Sequence, residues 1–227
     1  QALGMVRRSV WAMDELYRSA AVPMLGTYAL MRKNGVYVTL DGHGADEMLA
    51  GYYFFLQTPM RALNDHLYND FHATMLPGIL RCYDRASMAH GVEVRMPFMD
   101  WRLVCYVFGL PPSAKVGGGF TKRIARDAMR GLVPDDVLFR RWKVGFSAPM
   151  LEWFNRGFGG VLEEVFAHPL WSDGPWDKGA ELARLAREKT RTHSWTDRDQ
   201  GLCLATWLRV NVVLWQMMFV EGVRHGV

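Results

Sequence analysis

Residues 36–50 read Val36-Tyr37-Val38-Thr39-Leu40-Asp41-Gly42-His43-Gly44-Ala45-Asp46-Glu47-Met48-Leu49-Ala50. The first five are rich in β-branched side chains and include no charged member. A run that is apolar on both faces suits a strand buried inside a parallel sheet. It leads straight into a turn with two glycines, then into two acids in the first turn of a helix. In open α/β sheets ligands bind beyond the carboxyl ends of strands, so this turn is the first place to look for chemistry. Gly42 and Gly44 let the backbone come close to a ligand, and a helix N-terminus favours anions. A carboxylate such as Asp46 can hold a hard cation such as Mg²⁺ together with substrate phosphates. Asp46 and Glu47 would equally complement the helix dipole and nothing more. The turn by itself leaves both readings open.

Upstream, residues 5–20 carry a helical rhythm through Val6, Val10, Met13 and Leu16 or Tyr17. Residues 24–32 form a second helix ended by Asn34-Gly35. Downstream the pattern is mostly helical, punctuated by Pro59, Pro77-Gly78, Pro97, Pro111-Pro112 and Gly117-Gly118-Gly119. Strand candidates are few further on: residues 91–96 alternate through Val92, Glu93, Val94 and Arg95, but only briefly. Residues 169–177, with Gly174-Pro175, read as a surface loop before a charge-rich helix at 178–189. The expected class is α/β: part of a parallel sheet flanked by helices, followed by a mainly helical C-terminal portion. One clear strand is too little for a complete parallel sheet, so the remaining strands are expected upstream of residue 1.

Half of the 227 residues are hydrophobic and 22% are charged, which allows a substantial core and excludes a disordered chain. The 27 basic residues exceed the 23 acidic ones by four and are dispersed, so nucleic-acid binding is not expected. Three cysteines at distant spacings give no zinc or redox pair, and with no glycosylation acceptor they suggest a cytoplasmic protein. Arg7, Arg8, Asp14, Glu15 and Arg18 interrupt any apolar run near the start, against a signal peptide. The stretch LCLATWLRVNVVLWQMMFV at 202–220 is apolar enough to span a membrane, but Arg209 stands at its middle. Thr206, Arg209 and Gln216 make a narrow polar stripe, so a core helix is expected there and no membrane partner.

Common nucleotide and metal motifs fail. Residues 117–122 lack the phosphate-loop spacing, Glu47 stands where a dinucleotide fingerprint needs its third glycine, and H-E-x-x-H is absent. His66, His72 and His90 have no ligand-like spacing.

Several longer motifs occur in order: TLDGHGADEMLAGY at 39–52, DRASMAHGVEVRMPFMD at 84–100, LPPSAK at 110–115, FTKRIARDAMRGLVPDDVLFRRWKVGFSAPM at 120–150, and a Trp-rich tail at 207–215. Together they resemble the synthetase domain of the glutamine-hydrolysing asparagine synthetase family, over about residues 11–220. The resemblance implies an adenine-nucleotide α-hydrolase-like fold. It also implies the chemistry: ATP adenylates a carboxylate, aspartate in that family, and ammonia released from glutamine by an upstream glutaminase domain displaces AMP to form the amide.

Carried over by position, Asp41 and Gly42 would contact ATP, and Asp46 would ligate Mg²⁺. Lys143, in the R-x-K-x-x-F-S match, would stabilise charge on the α-phosphate and on the tetrahedral intermediate. The other reading of residues 140–143 is a solvated basic patch. The family pattern LSGEGADE differs here at two places: Asp41 replaces Ser, and His43 replaces Glu. His43 is chemically able to act as a general base near neutral pH, and it is equally a bland spacer if proton transfer happens elsewhere. Glu93 is expected to pair with Arg85 or Arg95, and the Asp14-Glu15 pair to be structural.

The family's S-G-G-x-D-S pyrophosphate loop is not in these residues, nor is a cysteine-led glutaminase. Residues 1–227 are therefore expected to be the C-terminal part of such a domain, inactive alone, with the glutaminase in cis or trans; a homodimer is compatible with this. Two alternatives stand beside it: a ligase or cyclase of the same fold acting on another carboxylate, and a non-catalytic interaction module.

Overall fold

The computed structural model describes residues 5–15, 21–141, 145 and 148–223. In chain order the elements are α1 (Val6–Met13), α2 (Val22–Lys33), β1 (Val38–Leu40), α3 (Ala45–Met48), α4 (Met60–Asn69), α5 (Leu76–Met88), β2 (Glu93–Arg95) and α6 (Trp101–Phe108). They continue with α7 (Pro112–Lys115), α8 (Arg123–Ala128), α9 (Asp135–Leu138), α10 (Met150–Asn155), α11 (Val161–Phe166), α12 (Leu170–Asp173), α13 (Gly179–Arg191) and α14 (Gln200–Trp215). They group into two compact units. One comprises residues 1–35, 85–91 and 147–227, and the other residues 36–84 and 92–146.

The first unit is helical. Val6, Val10 and Met13 are buried on one stripe of α1, as the periodicity predicts, but the helix ends at Met13, where Asp14 turns to φ 49°, short of the expected residue 20; Leu16 and Tyr17 lie outside the described residues. Its core joins Val6 and Val10 to Trp153, Phe154, Phe158, Trp195 and Trp207. The Phe158 and Trp207 rings stack with centroids 5.7 Å apart. Asn155 ties the loop after α13 to α10, because its amide donates to Trp195 O at 3.0 Å and accepts from Trp195 N at 2.9 Å. The helical stretch Asp197–Val220, of which α14 is the middle, is the one among the described residues long and apolar enough to cross a membrane, and its Trp207, Val210, Val213 and Leu214 are buried in this core. The polar-stripe argument for it is only partly right. Thr206 is fully buried, whereas the Arg209 guanidinium caps Ala205 O at 3.0 Å and lies over the Trp176 ring. The expected surface loop at 169–177 also needs correction. It contains α12, whose Trp171 is buried and donates to Val165 O at 2.8 Å, because an indole brings a large apolar area that a short turn can bury.

The second unit carries the sheet. β1 and β2 pair in parallel with Val38 opposite Glu93 and Leu40 opposite Arg95. The second strand falls at the brief alternation in 91–96. Around the pair, Ala45, Met48 and Leu49 pack with Phe71, Leu76 and Val107, and a neighbouring cluster unites Ala50, Phe55, Leu63, Leu67 and Val116. One expectation fails here: β1 is not buried, and Leu40 is 72% exposed. A two-stranded sheet has no inner strand, so an apolar run that suits burial on both faces is left in the open within these residues. All three cysteines are free.

Candidate active site

The strand end is built as the sequence order suggests. Asp41 N donates to Arg95 O at 2.9 Å, carrying the ladder one residue past β1. Gly44 then takes φ +88°, and a methyl group there would also press within 2.7 Å of Met99 Sδ, so only glycine fits before α3. The two positions that depart from the family pattern meet across this turn. Thr39 Oγ1 donates to Asp41 Oδ1 at 2.9 Å, and Asp41 Oδ2 lies 3.4 Å from His43 Nε2. The His43 ring packs edge-on against Tyr83 of α5, with centroids 4.2 Å apart. Burial, aided by Cys82 and Asp41, pushes the Tyr83 hydroxyl above its ordinary range and keeps it neutral.

The two acids of α3 part ways. Glu47 points inward, is nearly fully buried, and accepts from Tyr52 Oη at 2.5 Å. Burial and the Glu47 carboxylate together drive the Tyr52 phenol far above its ordinary range. Asp46 keeps 25% of its side chain exposed and faces Lys122 Nζ at 2.5 Å. Lys122 is itself pinned by its backbone, which adopts φ 55° and donates N–H to Leu49 O at 3.1 Å. Gly51 makes this approach possible, since a methyl there would overlap Asp46 Oδ1.

Lys122 also lines a pocket of about 390 Å³ with Gly51, Thr121, Arg126, Arg140 and Arg141, floored by Met129, Val133, Val137 and Leu138. Arg126 is fixed in it by donating to Thr121 O at 2.8 Å and to Leu138 O. Phe120 stands between two guanidinium groups, with Arg126 5.2 Å and Arg141 5.0 Å from its ring centroid. Four cations around an apolar floor make a receptacle for a polyanion carrying an apolar group. The sequence reading passed over Lys122 and Arg126. The signal was present in their i, i+4 spacing at the start of α8, immediately after a glycine run already noted as an incomplete phosphate loop.

Of the residues singled out from sequence, Asp41, Gly42, His43 and Asp46 lie in one turn of this unit. Lys143 lies outside the described residues, although Arg140 and Arg141 just before it line the pocket. Glu93 pairs with Arg95 at 2.8 Å, one of the two partners expected, and the guanidinium holds the Glu93 carboxyl below the usual range. Asp14 caps α1 and sits 3.6 Å from Arg85, a structural role. No cluster of three metal-ligating side chains exists among the described residues. Asp46 is a single carboxylate already paired with the Lys122 ammonium.

The profile of the family described as "Asparagine synthase" matches residues 1–65 and 58–215. The chain belongs to the asparagine synthase family. Among curated relatives, "Asparagine synthetase [glutamine-hydrolyzing]" of Homo sapiens is 30% identical over 179 residues, 74% of this chain and 30% of the human protein. The corresponding protein of Mesocricetus auratus is 31% identical over 179 residues, with the same coverage of 74% and 30%. "Asparagine synthetase [glutamine-hydrolyzing] 1" of Bacillus subtilis (strain 168) is 35% identical over 103 residues, 45% of this chain and 16% of that protein. The chain thus spans about a third of the length of the longer relatives it matches. Within this asparagine synthase family segment the turn, the acid pair and the cationic pocket all fall inside the matched residues.

Proposed function

We propose that the chain is the C-terminal part of a glutamine-dependent asparagine synthase-like amidotransferase with an adenine-nucleotide α-hydrolase-like fold. The carboxylate, aspartate as first choice, reacts with ATP to give acyl-AMP and pyrophosphate; ammonia from a glutaminase domain then displaces AMP. The observation that carries this reading is the glycine turn at the end of parallel strand β1, with Asp46 and Lys122 opening onto a cationic pocket, in a family-matched segment. Position 41 and Gly42 approach the nucleotide. Asp46, with phosphate oxygens, would hold Mg²⁺, which supplies charge neutralisation on the leaving pyrophosphate. Lys143 stabilises the charge that develops at the reacting centre, and His43 handles a proton.

The working enzyme is cytoplasmic, and the 227 residues by themselves make no amide. A product assay on the intact enzyme tests the reading: AMP and pyrophosphate are expected, and ADP with phosphate would sink adenylation. Asp46→Asn and Lys143→Ala are each expected to lower turnover by about 100-fold or more, the scale of a lost charge-stabilising contact; unchanged turnover would return the chain to a binding role.

The His43–Asp41 contact favours one second reading, a ligase or cyclase of the same fold that acts on another carboxylate. In that case a different acid, and not aspartate, drives pyrophosphate exchange.

A further inference from the structure

The side chains of Asp41 and His43, which flank Gly42, are in contact with one another. The arrangement is layered: Thr39 Oγ1 donates to one oxygen of Asp41 at 2.9 Å, and the other oxygen faces His43 Nε2 at 3.4 Å. That Nε2 is buried and makes no hydrogen bond among the described residues, so the Asp41 carboxylate at 3.4 Å is the acceptor it has only to close on, while the Tyr83 ring packs against it edge-on.

We propose that Asp41 is a positioning residue that holds His43 with Nε2–H toward the carboxylate, so that Nδ1 accepts the proton shed by the nitrogen nucleophile. The inference rests on the amide-forming reading above. As nitrogen attacks the acyl-AMP carbonyl, the C–N bond forms and the C–O bond to AMP breaks, its electron pair leaving with the AMP phosphate. One N–H proton passes to Nδ1, giving an imidazolium that Asp41 stabilises and that later returns the proton to water. A carboxylate that orients an imidazole and stabilises its charged form is a recurrent way to make histidine a base. The titratable groups facing His43 are Asp41 in its own turn and Tyr83 on α5; on β2, Arg95 is engaged by Glu93. Tyr83 is held neutral, so Asp41 is the charge that acts on the ring.

The test uses the intact enzyme with L-aspartate, MgATP and ammonium chloride, measuring pyrophosphate exchange and amide formation separately. His43→Gln is expected to keep exchange within about twofold while amide formation falls about 100-fold or more, the usual worth of a general base. Asp41→Asn is expected to slow amide formation about tenfold beyond any change in exchange, with Asp41→Glu restoring part of the loss. Nitrogen-15 spectra of the His43 ring give a readout free of turnover: the Nε2–H tautomer dominates in the wild type and loses dominance in Asp41→Asn. The proposal is overturned if Asp41→Asn depresses exchange and amide formation equally, as a plain nucleotide contact would, or if the tautomer does not respond. Absence of wild-type exchange with every carboxylate tried would count against adenylation itself, and the tautomer would still decide the pairing.

Discussion

At Gly51 the fold has no room for a methyl group, because the Asp46 carboxylate and the Lys122 side chain close over it. Gly51→Ala is expected to force that pair apart, costing about 1–3 kcal/mol in a urea melt, as overpacking usually does, together with at least a tenfold loss of adenylation. A clean melt with full activity would show that the pair tolerates displacement. Tyr52 gives a complementary case. Its hydroxyl is the donor to a buried Glu47, so Tyr52→Phe should cost about 1–3 kcal/mol by leaving that carboxylate short of a partner. The acids of this turn could be located in the sequence, but their division of labour could not. Asp46 and Glu47 are neighbours with the same charge, and only packing turns one toward Tyr52 and the other toward Lys122. His43 and Asp41 were legible as departures, whereas their contact depends on how the two glycines bend the turn.

The elements show the same limit at a larger grain. Helix α14 could be anticipated from 19 nearly unbroken apolar residues, and α1 from its three-and-four spacing. Strand β2 left little trace, because three residues of alternation carry almost no periodic signal. The polar stripe on α14 misled at Thr206, whose hydroxyl is fully buried and has no hydrogen-bond partner among the described residues. Replacing it with an isostere that has no polar group should therefore help: Thr206→Val is expected to leave thermal stability unchanged or raise it by up to about 1 kcal/mol. A loss larger than that would reveal a partner for the hydroxyl. Lys122 and Arg126 were missed for a related reason, since two cations one helical turn apart are common on solvated faces and only the pocket gives them a shared target.

Across the whole molecule, Lys115 sets a pH dependence. Its ammonium is fully enclosed, donates to Asn64 Oδ1 at 2.7 Å and lies over the Phe108 ring, and burial lowers its pKa from 10.5 to about 8. Between those values the unfolded chain still holds the proton that the folded chain has released, so this group makes the fold more stable as pH rises. Cys203 works the other way: its thiol is pushed up by burial from 9.0 to about 11, so the unfolded chain ionises first. Subtracting a Lys115→Met variant isolates the lysine. The wild type should gain on that variant by up to about 1.4 kcal/mol per pH unit between roughly pH 8 and 10, and a flat difference would place the ammonium in water.

The bare sheet has a practical side. Tyr37 and, on β1, Val38 and Leu40 are exposed to solvent beside backbone groups that meet no further strand among the described residues. Such a seam is adhesive, because it offers another chain both apolar area and a ready ladder. Prepared by itself, the 227-residue chain should scatter light and self-associate as its concentration rises, and a charge placed at Leu40 should restore clear solutions.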